Sequence, residues 1–235
     1  MTDEAKGDTE KWVSSKGAKY AYGYDKGSKL ARYFNVSGIP AAVLVDASGT
    51  VVWQGHPGSL DESLLAKATS GALPKPLWEW TAAAKAVKNA LLKKQYKLAL
   101  EESAKLTEAD GGPAIKSAIE GIVKSKVEGM KTAFEKGDFL GAETASNALQ
   151  KELDGLPEQA EAAKMAADIK ADAKAAPVLK AQRQIAKIRE ADLSKRKDID
   201  AAIEDLQKLQ KNVPGTFAAE EAAALILQLR ASKKK

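Results

Sequence analysis

The 235-residue chain contains no cysteine and a single histidine. Without cysteine it forms no disulfide, holds no thiolate-bound metal and offers no thiol nucleophile. Its redox compartment is therefore left open. His56 lies in Gly55-His56-Pro57 with no second metal-ligating residue beside it, which reads as a turn residue following a strand. No apolar run approaches the roughly 20 residues that a membrane-crossing helix requires, so no membrane span is expected. The opening residues Met1-Thr2-Asp3-Glu4-Ala5-Lys6 are polar and lack the apolar core of an export signal. As written a cytoplasmic location is expected, and a periplasmic or cell-envelope location would need a signal further upstream. Phosphate-loop, His-Glu-x-x-His and calcium-loop patterns are absent too, so no cofactor and no metal are expected.

Charge of one sign is also missing. The net charge of +5 comes from 37 basic and 32 acidic side chains. They are interspersed, apart from short clusters at Lys195-Arg196-Lys197 and Lys233-Lys234-Lys235. A pI near 9.1 permits an acidic partner, but this mixing reads as solvated helix faces, and no nucleic-acid partner is expected. Tyr20, Tyr22 and Tyr24 alternate without basic interleaving and read as one face of a strand. Trp78 and Trp80 read as packing residues that cover the first unit or cap the first helical hairpin. Glu101-Glu102 and Glu220-Glu221 are adjacent on helices, so each pair points apart and reads as solvated.

The composition changes along the chain. Residues 1–70 mix short helical and strand-like patterns, and 71–77 form a linker punctuated by Pro74 and Pro76. Residues 78–235 are rich in Ala, Lys, Glu, Leu and Gln, with no strand pattern. In the first unit, the pattern predicts a helix over 8–15 with Trp12 and Val13 buried and Gly17 ending it, and a strand over 18–22. A helix over 28–34 follows, with Leu30, Tyr33 and Phe34 facing inward. The continuous apolar run 41–45 predicts a strand covered on both faces. Asp46-Ala47-Ser48-Gly49 turns it into an antiparallel partner over 50–54, and a helix over 60–68 starts near Ser59 or Asp61.

Breakers at Gly111-Gly112-Pro113, Gly137-Asp138, Gly155-Leu156-Pro157, Pro177 and Pro214-Gly215 divide the remainder into seven or eight helices. Tyr96/Ala99, Phe139/Ala142 and Ile199/Ala202 each place a bulky apolar residue three positions before an alanine after a turn. In a helical hairpin the large residue fills the seam and the small one admits the partner helix.

Several segments carry a family resemblance together. They are Leu30-Ala31-Arg32-Tyr33-Phe34-Asn35-Val36, Gly38-Ile39-Pro40, Val43-Leu44-Val45-Asp46, Gly49-Thr50-Val51-Val52-Trp53 and Gly55-His56-Pro57. Residues 3–69 resemble the distal two-thirds of a thioredoxin-like redoxin domain, as in bacterial thiol-disulfide oxidoreductases and peroxiredoxin relatives. The resemblance implies a partial thioredoxin-like α/β fold at the N-terminal end, joined to an all-α helical-hairpin domain. It implies a cis bond before Pro40, with Ile39 and Pro40 forming the substrate-binding ledge. It further implies thiol-disulfide exchange or peroxide reduction in a complete protein.

The Cys-x-x-Cys segment and the strands around it would precede Thr2-Asp3-Glu4. The expectation is thus a chain truncated before its catalytic third, or one whose strands a partner chain supplies. No catalytic residue is expected in these 235 residues. The helical part loosely resembles tetratricopeptide-type hairpins, which bind proteins or peptides, and a plain irregular bundle fits it as well. The alternative function is a non-enzymatic interaction scaffold built on the same two parts.

Overall fold

The structure, a computed structural model, describes residues 5–17, 23–34, 36, 38–46, 49–70, 72–73, 75, 77–191, 193 and 195–232. These are mostly helical, with one two-stranded antiparallel sheet. The expected strand over 18–22, the turn residues Ala47 and Ser48, the linker residues Gly71, Pro74 and Pro76, and the basic cluster 233–235 lie outside the described residues.

Helix α1, Lys6–Lys16, ends where Gly17 turns left-handed at φ 60° and its N–H returns to the Val13 carbonyl. Asp25, 7% exposed, sets up α2, Lys29–Tyr33. Its two carboxylate oxygens accept the Leu30 and Ala31 N–H groups, each at 2.9 Å. Strands β1, Ala42–Val45, and β2, Val51–Gly55, pair antiparallel with Leu44 opposite Trp53 and a bulge between Leu44 and Val45. The turn between them is closed by Gly49, whose N–H meets the Asp46 carbonyl at 3.0 Å. Asp46 Oδ1 accepts the Thr50 N–H, also at 3.0 Å. Helix α3, Glu62–Ala68, is capped by Asp61, which accepts the Ser63 N–H at 2.7 Å. That backbone hydrogen bond, with one from the Ser63 side chain, holds the Asp61 carboxyl below its ordinary range.

Among the described residues the helices at α1, α2 and α3 and the strand pair β1–β2 fall in the expected order, but their burial differs from the sequence reading. Trp12 is exposed instead of buried, with Val13 half-buried, and Leu30 and Tyr33 face solvent at 43% and 75% exposure instead of pointing inward. Strand β1 is half-covered and opens to solvent at Val45. Among the described residues no second layer covers these faces. Two described strands make too small an apolar layer to cover a helix, and a helix face is buried only where another layer meets it. Ala68 is the one buried hydrophobic residue among those described before residue 84.

The real core lies in the helices that follow. These are α4, Lys85–Leu92; α5, Tyr96–Ser103; α6, Gly112–Glu135; α7, Phe139–Glu152; α8, Gln159–Ala171; α9, Ala175–Glu190; α10, Arg196–Asn212; and α11, Phe217–Ser232. Eight described helices match the upper expectation from the breakers. Gly111 begins α6 at φ 77°, and at Gly112 a Cβ would lie 2.6 Å from the Leu106 carbonyl oxygen, so this entry needs paired glycines. Pro177 does not divide two helices: it sits in the first turn of α9, where an N–H has no intrahelical partner to lose. The break falls at 172–174 instead.

Tyr96 and Ala99, and Ile199 and Ala202, are buried together at helix seams, and Ala142 is fully buried beside half-buried Phe139. One apolar cluster joins α4 to α8 around Ile119, Met130 and Leu153. A second joins α9, α10 and α11 around Ile185 and Leu206. A small third cluster, Ala142, Ile169 and Leu179, bridges them across α7, α8 and α9. Trp80 packs on the first cluster and donates its indole N–H to the Lys75 carbonyl at 2.9 Å, so it caps the first hairpin. No described helix is long and apolar enough to cross a membrane.

Candidate functional site

Two places merit description: the loop entering β1 and a groove in the helical array. The loop holds both expected site residues. Ile39 is 93% exposed, Pro40 is exposed as well, and the peptide bond between them is cis. Beyond this loop, Gln54 Nε2 donates to the Phe34 carbonyl, tying β2 to the end of α2. His56 is a turn residue as expected, its Nδ1 accepting the Gly58 N–H at 3.1 Å. Among the described residues no cluster of His, Asp or Glu could hold a metal ion.

The groove, about 840 Å³, is lined by α6, α7 and α9 together with Lys94, Glu221 of α11, and Tyr33 and Thr50 of the first unit, Thr50 lying beside Gly129. Its floor is one face of α7, where Gly141, Ala145 and Ala148 present no side chain beyond Cβ. Gly129 and Ala133 of α6 and Ala186 of α9 continue the same small-residue lining. Neither strand-bearing loop residue, Ile39 or Pro40, lines this groove.

Polar groups stand at the two ends. At the start of α7, Asp138 caps the helix by accepting the Gly141 N–H at 2.9 Å. Gln182 of α9, 1% exposed, accepts the Leu140 N–H and donates to Asp138 Oδ1, both at 3.0 Å. This buried amide ties the second helix cluster to the cap of α7. Nearby, Arg189 pairs with Glu221 at 3.2 Å. At the far end of α7, Glu152 pairs with Lys94 at 2.9 Å and Lys126 at 3.1 Å, its side chain only 10% exposed. Its Oε2 is an ion-pair partner of Lys126 but accepts no aligned hydrogen bond. Burial drives the Glu152 carboxyl up, but the Lys94 hydrogen bond and the two ammonium groups beside it outweigh burial and hold the group below its ordinary range. Burial, with the Glu152 charge, pushes the Tyr96 phenol up to about 12.

Glu221 corrects the reading of Glu220-Glu221 as a solvated pair. Its neighbour faces outward, whereas Glu221 is half-buried and its carboxyl is raised by burial, opposed by Arg189 and reinforced by Asp138. A carboxyl raised on folding is destabilising while ionised, and the penalty disappears once pH falls low enough to protonate folded and unfolded forms alike. Glu221→Gln is therefore expected to raise the thermal midpoint at pH 7 and to match the parent near pH 3. A lower midpoint at pH 7 would mean that the Arg189 pair outweighs the burial.

The groove residues were not legible as a site. The helical breakers and the Phe139/Ala142 spacing locate α7, but alanines at 145 and 148 read from sequence as ordinary helix formers. Only packing shows which of them remain uncovered. Comparison with protein-family models, with curated proteins and with solved structures finds no match for this chain.

Proposed function

We propose that the chain is a polypeptide-binding part of a thioredoxin-like redoxin system, with the loop at Ile39 and Pro40 as its substrate ledge. The observation that carries this reading is Ile39, a large apolar side chain 93% exposed on the loop that leads into β1. The helix–strand–strand–helix order α2, β1, β2, α3 supports it, because the resemblance implies that succession. The thiol step itself, thiolate attack on a disulfide or peroxide, needs a cysteine from outside these 235 residues. This chain binds and does not react.

Two measurements test the reading together. In a disulfide-reduction assay the chain alone is expected to show no rate above background. An extended apolar octapeptide labelled for fluorescence anisotropy is expected to bind, and Ile39→Asp to weaken it by about tenfold, since burying an isoleucine is worth roughly 1.5–3 kcal/mol. Unchanged binding after Ile39→Asp would remove the ledge.

A second reading, a non-enzymatic interaction scaffold, is favoured by a different observation: the groove of about 840 Å³ with an uncovered small-residue floor. It needs no thiol chemistry and assigns the partner to the helical array.

A further inference from the structure

We propose that the groove of the helical array seats an amphipathic helix of a partner protein, with its N-terminal end near Asp138 and Glu221 and its C-terminal end near Lys94 and Lys126. The inference rests on the scaffold reading and is independent of the ledge at Ile39.

Length comes first. The groove follows α7 from Asp138 to Glu152, and the 14 residues of that helix span about 21 Å at 1.5 Å per residue. Four turns of a partner helix fit alongside it. Depth agrees with this. Ala145, Ala148 and Ala186 along the groove carry nothing beyond Cβ, whereas the Asp138 carboxylate covers Gly141 and Thr50 Oγ1 lies 3.8 Å from a Cβ placed at Gly129. A helix can thus approach at the close end of the 8–10 Å interaxial range, with its own large side chains filling the space.

Backbone chemistry then selects a helix over an extended strand. The groove is walled by helices whose N–H and C=O groups are already paired along their own axes, so they offer no ladder to a strand. The buried amide at the groove, Gln182, has both ends engaged by Leu140 and Asp138. An extended occupant would leave its own peptide groups unpaired in the groove, whereas a helix satisfies them internally.

Charge fixes the direction. One end carries Asp138, Glu190 and Glu221 against Arg189, and the other Lys94 and Lys126 against Glu152. A helix has a partial positive charge at its N-terminus and a negative one at its C-terminus, so it lies best with its N-terminus at the acidic end. Tyr33, 75% exposed among the lining residues, supplies the aromatic contact typical of an interface anchor.

The probe is a staple-locked, end-blocked 14-residue peptide with a leucine face, two lysines in its first turn, and a glutamate and a glutamine in its last. It is titrated against the full chain by calorimetry at low and high salt. Saturable binding is expected, and a charge-swapped version should bind about tenfold more weakly at low salt, with the gap closing at high salt. A version broken by two prolines should not bind. Ala145→Arg, which fills the floor, should abolish binding, and Lys94→Glu, on a largely exposed side chain, should erase the preference between the two charge patterns. Ile39→Asp should change nothing, which separates this site from the ledge. The proposal is overturned by absence of binding, by equal binding of the proline-broken peptide, by indifference to charge order, or by indifference to Ala145→Arg.

Discussion

Replacing Leu206 with alanine is expected to destabilise the protein by about 3 kcal/mol, within the 2–5 kcal/mol range for buried leucines. Leu206 is fully buried in α10, in the cluster it shares with Ile185, Ile203, Leu209 and Ala222 of α9, α10 and α11. The loss combines the transfer energy of the deleted methyl groups with the cavity they leave among large, well-packed neighbours. For a chain of this size that corresponds to a fall in thermal midpoint of roughly 6–12 °C. A calorimetric scan is the check. A change under about 1 kcal/mol would show that α10 is not clamped between α9 and α11 as described.

The second large effect is expected at Gln182. Its amide joins α9 to the start of α7 through Leu140 and Asp138, in a position 1% exposed. Gln182→Leu keeps the volume but leaves the Leu140 N–H and one lone pair of Asp138 without partners. Each stranded group costs about 1–3 kcal/mol, so a loss near 3 kcal/mol in denaturant unfolding is expected. Gln182→Glu provides the internal control. It still accepts from Leu140, but its carboxylate faces Asp138, so it should be destabilised at pH 7 and recover on acidification as one of the two carboxyls takes up a proton. If Gln182→Leu were neutral, the two helix clusters would be joined by apolar contacts alone, through Ala142, Ile169 and Leu179.

Gln182 lies where the sequence reading was weakest. A glutamine in the run Lys180-Ala181-Gln182-Arg183 looks like any solvated helix residue, because periodicity marks apolar positions and says little of a polar one turned inward. Glu221 was misread for the same reason. Conversely, Trp12, Leu30 and Tyr33 looked like core residues because they are apolar, and they stand exposed because no described layer covers them. Of the described large hydrophobic residues that face solvent, eight of eleven lie before residue 70. The ledge proposed at Ile39 and Pro40 lies within the same exposed stretch.

The sequence by itself determined the local events. Gly17, Gly49, Gly111 and Gly137 stand at the turns where the backbone runs left-handed, and they are readable because few other residues tolerate that conformation. The apolar run into β1, the Asp61 cap and the bulky-residue-then-alanine spacing at 96/99 and 199/202 are readable for a similar reason, since each acts within a few residues. The absence of cysteine likewise settled, before any fold was known, that these residues supply no thiol. Only the tertiary structure decided which face of α7 stays uncovered, that Gln182 bridges to Asp138 across 44 positions of sequence, and that Glu152 meets both Lys94 and Lys126. Those contacts join residues far apart in the chain, and their formation depends on how whole helices cross. Local propensity carries no record of that crossing.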